Sequence, residues 1–214
     1  MALSKLTYNS LNVTAAASKG IGFGSGADDL STDFAGGDMT FISKFTSDGS
    51  DDTATFASGI DSTYKEYLFI FNNIHPETNG VFFQVNFRDG STAYDAIKTT
   101  TYFRAYHDEA DTATSLEYTS GSDLAQSTGA QYISDDLGNG NDENVSGYLH
   151  LFNPSSTTFV KHFIANSNTY HQSDYSVNAY VAGYCNVTAA IDGVQFSMSS
   201  DEIQGGTISL YGIN

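Results

Sequence analysis

The segment VFFQVNFR, residues 81–88, sets Val81, Phe83, Val85 and Phe87 against Phe82, Gln84, Asn86 and Arg88. Successive side chains of an extended chain point to opposite faces, so this alternation predicts a β-strand whose odd-numbered residues enter a core. GVQFSMS (193–199) repeats it with Val194, Phe196 and Met198 against Gln195, Ser197 and Ser199, and GTISLYGI (206–213) puts Ile208 and Leu210 on one side. YLFIF (67–71) differs in being apolar on both faces. It predicts a central strand covered twice, by a second sheet together with a loop or by a neighbouring subunit.

Outward from these segments, the chain continues in the same idiom. MTFISKF, TATFASGI, TTTYFRAYH, SLEYTS, SGYLHLF, TTFVKHFIANS and NAYVAGYC are short runs rich in β-branched and aromatic residues, separated by Gly, Asn and Asp. Their spacing is that of an antiparallel sandwich or barrel. No stretch holds apolar residues at i, i+3, i+4 and i+7 over three turns, so helix is expected to be scarce, with SGSDLAQSTGAQY (120–132) the place for one short turn. Residues 1–40, rich in Gly, Ala, Ser and Asp and including GIGFGSGADD, lack sustained periodicity. The expected organisation is an extended glycine-rich arm over 1–40 and a jelly-roll-like antiparallel β-sandwich over 41–214.

Composition narrows the functional classes. The 214 residues suffice to bury about 70 % of the unfolded surface, so core size is not limiting. With 8 Lys+Arg against 25 Asp+Glu the net charge is −17, which repels nucleic-acid phosphates and anionic membranes. Cys185 is the sole cysteine, which excludes an internal disulfide and a cysteine-based metal cluster. The opening residues lack the basic and apolar regions of a secretion signal, and no apolar run reaches membrane-spanning length. The expectation is synthesis in a cytoplasm, with no membrane insertion. Sequons at Asn12, Asn144 and Asn186 carry little weight without a secretory route.

Candidate chemistry is sparse. In GYLHLFNPSSTTFVKHF (147–163), a turn with Asn153 at i and Pro154 at i+1 brings His150 and His162 opposite each other or one residue off register. A zinc site wants a third or fourth ligand, and no HxH or HExxH spacing supplies one, so the pair reads as strand positions of a hairpin. His107-Asp108-Glu109 with Asp111 combines ligands with a base and an orienting carboxylate, yet it reads as a solvated loop after a strand. TSDGSDD (46–52) and SDDLGNGNDEN (134–144) offer oxygen ligands for Ca²⁺ without the EF-hand spacing, and turn chemistry accounts for them. Glu66 and Glu117 are available carboxylates for a glycosidase pair, but nothing in the spacing selects them. Gly20 to Gly26 lacks the phosphate-loop spacing. Sugar stacking would fall to Tyr64, Tyr67, Tyr106, Tyr118, Tyr170, Tyr175 or Tyr184, since the chain has no Trp, and the same tyrosines suit subunit packing. No catalytic, cofactor-binding or metal residue is assigned.

Several segments taken together, SKLTYNSLNVTAAASKGIGF, TYKEYLFIFNNIHPETNGVFFQVNFRDG, AYDAIKTTTYFRAYHDEADTATSLEY, SGYLHLFNPSSTTFVKHF, YVAGYCN and GTISLYGIN, resemble a family of virion structural proteins of tailed phages of marine bacteria and cyanobacteria. The likeness spans nearly the whole chain. It implies a non-enzymatic particle component, such as a tail-fibre or tail-tip protein, or a capsid-surface knob or decoration protein. It implies other virion proteins as partners and a homo-oligomer, with a trimer as the default for fibres. Binding of a host surface glycan by a lectin-like module is the alternative from a different class. The glycine-rich arm is expected to dock on the particle by strand addition or wrapping.

Overall fold

The structure, a computed structural model, describes residues 39–214 and two short strands that precede them. Those strands, β1 (Gly22–Phe23) and β2 (Leu30–Ser31), pair antiparallel with each other. Apart from these strands, the expected arm before Met39, with the remainder of the Gly20 to Gly26 run, lies outside the described residues.

The remaining strands are β3 (Met39–Thr46), β4 (Thr53–Phe56), β5 (Glu66–Pro76), β6 (Phe83–Arg88), β7 (Lys98–Asp108), β8 (Thr114–Tyr118), β9 (Gln131–Tyr132), β10 (Val145–Phe152), β11 (Lys161–His171), β12 (Tyr175–Cys185), β13 (Gly193–Met198) and β14 (Ile203–Ile213). They form an eight-stranded sheet in the order β3-β14-β5-β10-β11-β12-β7-β8 and a four-stranded sheet in the order β4-β13-β6-β9. From β4 onward the chain passes back and forth between the sheets. The orders β4-β13-β6-β9 and β5-β10 to β7-β8 are those of a jelly roll, with the β11–β12 hairpin inserted in the large sheet and β3 and β14 extending its edge. All pairings are antiparallel, and no helix occurs among the described residues, none therefore long and apolar enough to cross a membrane. Segment 120–132 contains a turn and the strand β9.

Alternation decides which side chains fill the space between the sheets. Val81, Phe83, Val85 and Phe87 are buried, as are Val194, Phe196 and Met198, and Ile208 and Leu210. Aromatic rings join the layers edge-on: Phe56 to Phe69 at 5.2 Å, Phe71 to Phe83 at 5.3 Å and Phe69 to Phe196 at 5.4 Å between centroids. Phe87 of the small sheet meets Phe163 of the large one at 4.8 Å. Each such ring contributes about 2–3 kcal/mol by leaving water.

Where the small sheet stops after β9, residues 133–137 complete the cover. The Ser134 hydroxyl accepts the Phe83 amide at 2.7 Å, Tyr102 donates its hydroxyl to the Ser134 carbonyl at 3.0 Å, and Ser167 donates to the Ile133 carbonyl at 2.5 Å. Ile133 and Leu137 are buried by this arrangement. β14 bends around β5 through a bulge at Gly205–Gly206. Gly206 has φ +106°, and a Cβ there would sit 2.5 Å from the Asn73 carbonyl oxygen, so only glycine fits.

YLFIF is indeed central, between β14 and β10, and Tyr67, Phe69 and Phe71 are fully buried. The second cover predicted for it is missing among the described residues. Leu68 and Ile70 face away from the small sheet and remain partly exposed.

Candidate functional site

The turn predicted at Asn153-Pro154 forms, with the Ser156 amide donating to the Asn153 carbonyl at 3.1 Å. The loop between β10 and β11 is longer than that turn, however, and it shifts the histidines. His150 stands opposite Ile164 and Leu68, and His162 opposite Tyr184, so the two imidazoles are two residues out of register rather than opposite or one off. His150 Nε2 lies 3.0 Å from Glu66 Oε2, close enough for an ion pair when protonated but not aligned as a hydrogen bond. His162 meets the Tyr184 ring edge-on at 5.9 Å.

The His107 cluster is a capped turn. Asp108 accepts the Thr112 and Ala113 amides at 2.8 and 2.7 Å and the Thr112 hydroxyl at 2.5 Å, bonds that favour its charged form and hold its carboxyl below the ordinary range. His107 Nε2 lies 3.1 Å from Asp111 Oδ1, and Tyr170 donates its hydroxyl to Glu109 at 3.1 Å, which pushes the phenol up to about 12. His107, Glu109, Asn144, Asn168, Tyr170 and Tyr175 line an open groove of about 420 Å³.

The acidic loops are occupied in the same way. Asp48 accepts the Ser50 amide and hydroxyl, and Asp51 accepts the Asp48 amide. In the second loop Asp135, Asp136 and His171 converge, the one described group of three with metal-ligand chemistry and spacing. Their present partners oppose that use. Asp135 is paired with the Arg104 guanidinium, and Asp136 Oδ2 is 3.7 Å from His171 Nε2. His171 Nδ1 accepts the Ser173 amide at 3.1 Å, which places the proton of the neutral imidazole on Nε2, the atom a metal would need free. Burial keeps this imidazole neutral to lower pH than usual, with Asp136 pulling the other way. Stacking extends the cluster: Arg104 lies over Tyr106 at 5.4 Å, Tyr106 stacks on Tyr175 at 5.6 Å, and Tyr175 stacks on His171 at 5.2 Å.

Glu66 and Glu117 do not form a pair. They lie on β5 and β8, five strand spacings apart, or about 24 Å, well beyond the 5–10 Å of a glycosidase. Glu117 accepts from Arg104 at 2.8 Å.

Two lysines escaped the sequence reading. Lys98 and Lys161 are fully buried, flanking buried Cys185 in register across β7, β12 and β11. Lys161 Nζ donates to the carbonyls of Ser156 and Val187, at 3.3 and 2.6 Å, and of Ala189; Lys98 Nζ donates to Gly129 at 2.7 Å. They tie three loops to the end of the sheet. Desolvation lowers the Lys98 ammonium to about 8 and raises the Cys185 thiol to about 12.

The feature without an internal partner among the described residues is the outer face of the eight-stranded sheet. One straight row crosses it: Ile70, Tyr148, Asn166, Tyr180, Phe103 and Tyr118 are cross-strand neighbours on six successive strands. Phe103 and Tyr180 stack at 4.9 Å, 6° from parallel. The adjacent row runs Tyr211, Leu68, His150, Ile164, Ala182 and Thr101. On the other side Ser146, Asn168, Asn178, Ala105 and Leu116 form a third. Tyr148, Ile164, Tyr180, Phe103, Tyr118 and Leu116 are 40–72 % exposed. None of these positions is Asp, Glu, Lys or Arg, in a chain of net charge −17.

Of the tyrosines singled out for stacking, Tyr118 lies in the central row and Tyr184 beyond the adjacent row, opposite His162 and Thr99, whereas Tyr67 is buried and Tyr64 packs against it at 5.8 Å. Tyr148 and Tyr180 were missed. Their signal is the alternation of GYLHLF and NAYVAGYC, in which neither set holds Asp, Glu, Lys or Arg, and the alignment needs the register of six strands. No protein-family model, curated protein or solved structure matches this chain.

Proposed function

We propose that this protein is a structural component of a phage virion, a non-enzymatic homo-oligomer that assembles with other virion proteins at the tail or on the capsid surface. The observation that carries the reading is the uncharged aromatic face. Interface cores are depleted of charge and enriched in Tyr and Phe, and a surface of this breadth on an acidic protein ordinarily carries several carboxylates. The ligand-like clusters support it too, since their carboxylates and imidazoles are engaged in turns and ion pairs. The whole-chain resemblance supplies the particle context.

The test is mass spectrometry of gradient-purified particles from a host culture carrying the gene. The expected result is many copies per particle, retained after a salt wash. Recovery in the soluble lysate alone, with none in particles, overturns the reading. A second reading, a host-glycan-binding module, is favoured by the aromatic row running near the open groove lined by Asn168, Tyr170 and Tyr175. Retention on a neutral polysaccharide that is lost in Tyr180→Ala would select it.

A further inference from the structure

We propose that the outer face of the eight-stranded sheet is the contact with a second copy of this chain, in a two-fold, face-to-face pair centred on the row Ile70, Tyr148, Asn166, Tyr180, Phe103 and Tyr118. This deepens the reading of a homo-oligomeric particle component, on which it rests, by assigning the contact.

Charge chooses the occupant. A second copy is as acidic as the first, with 25 Asp+Glu against 8 Lys+Arg, so two copies repel over most of their surfaces. The three rows are where they meet without facing carboxylates. Among the described residues, carboxylates enter only at the margins of this face, Asp123 on the Tyr118 hydroxyl at one end and Glu66 beside His150 at the other. A partner recruited by charge would instead require acidic side chains on the docking face, and these rows have none.

Area permits the pair. From β14 to β8 the face spans six strand spacings, about 29 Å, and three rows of alternate residues cover about 20 Å along the strands. The flat footprint is about 600 Å² per copy, or about 1,200 Å² for the pair before side-chain relief is counted, at the threshold for a specific interface.

The row also suits a two-fold axis. An axis parallel to β11 between the faces carries Asn166 onto its counterpart, sets Tyr148 over Tyr180 of the second copy, and Ile70 over its Phe103. Two twisted sheets then pack aligned, as in the interior of a sandwich. The cover predicted for the second face of YLFIF is supplied by the partner. Such a contact closes at two copies, in place of the trimer expected for a fibre.

Sedimentation equilibrium over about 1–100 µM tests this, a range chosen for interfaces of micromolar strength or better. Wild type is expected at twice its 23.0 kDa chain mass. Phe103→Glu and Tyr180→Glu, each at a position at least 40 % exposed, are expected to return the single-chain mass with unchanged circular dichroism. Phe159→Glu, in the loop before β11 and 70 % exposed, keeps the pair. Tyr180→Ser serves as the milder variant should a charge disturb folding, with at least a tenfold weaker association expected. A monomeric or trimeric wild type, or a pair indifferent to Phe103 and Tyr180, overturns the proposal. If the monomer instead binds a neutral polysaccharide through Tyr180, the face belongs to a glycan. Monomeric protein found in particles would refute only this contact; a pair absent from particles would refute only the virion reading.

Discussion

The two faces of the eight-stranded sheet are made by the same strands and differ by one residue of register. Tyr67, Phe69 and Phe71 of β5 are fully buried under the small sheet, while Leu68 and Ile70 between them are partly exposed. β12 repeats this with Val177, Ala179 and Val181 buried and Tyr180 42 % exposed. Both faces are apolar, and among the described residues only one is covered. The comparison separates two uses of hydrophobic side chains. Inner ones hold the fold, and outer ones are free to hold a neighbour, so substitutions on the two faces should report on different equilibria.

The largest expected effect is on the inner face. Phe196 touches Phe56, Phe69 and Phe83, and Phe196→Ala should destabilise the monomer by about 3–5 kcal/mol, measured as a lower urea midpoint. A loss below about 1 kcal/mol would mean that the two layers are not packed through this ring.

Next is the ion cluster at the sheet end. Arg104→Ala leaves the Asp135 carboxylate, 6 % exposed, without its partner and should cost about 2 kcal/mol. Asp135→Asn in the same chain should recover part of that loss, as a double-mutant cycle would show. Full additivity would indicate that the two side chains do not interact.

Buried Lys98 gives a pH signature. Its ordinary value is 10.5 and its folded value about 8, so between those limits the unfolded chain binds more protons and stability rises with pH. Cys185 runs the other way: raised from 9.0 to about 12, its thiol stays protonated when folded, and stability falls with pH over that window. The urea midpoint should therefore rise from about pH 8 to 9 and then level off as the two slopes oppose each other. Lys98→Met should remove most of the rise, and an unchanged profile in that variant would show that the ammonium is not desolvated.

The smallest effect on stability belongs to the outer face. Tyr180→Ser should move the monomer's unfolding midpoint by less than about 0.5 kcal/mol, because this side chain is already partly in water. A shift as large as that of Phe196→Ala would erase the distinction between the faces.

Alternation made much of this fold legible before the structure. VFFQVNFR and GVQFSMS identified their buried sets because one face of each is plainly polar at most positions. YLFIF declared itself central for the opposite reason. Alternation could not reveal the jelly-roll strand order, which depends on partners far apart in sequence: β4 pairs β13, and β5 pairs β10 and β14. The same limit hid the aromatic row, whose six residues come from six strands. It hid Lys98 and Lys161 as well, since a lysine in a strand ordinarily reads as solvent-facing, and only the carbonyls of distant loops make its burial tolerable. His150 and His162 show the local counterpart, a turn correctly placed inside a loop whose length moved the register.

Hydroxyl-radical footprinting of the wild-type chain across a concentration series tests the division between the faces most directly. Oxidation of Tyr148, Tyr180, Phe103 and Tyr118 should fall together as concentration rises, while Phe159 stays reactive throughout and buried Phe69 stays protected. Constant oxidation of the four row residues up to about 100 µM, a concentration at which an interface of micromolar strength is filled, would contradict the account.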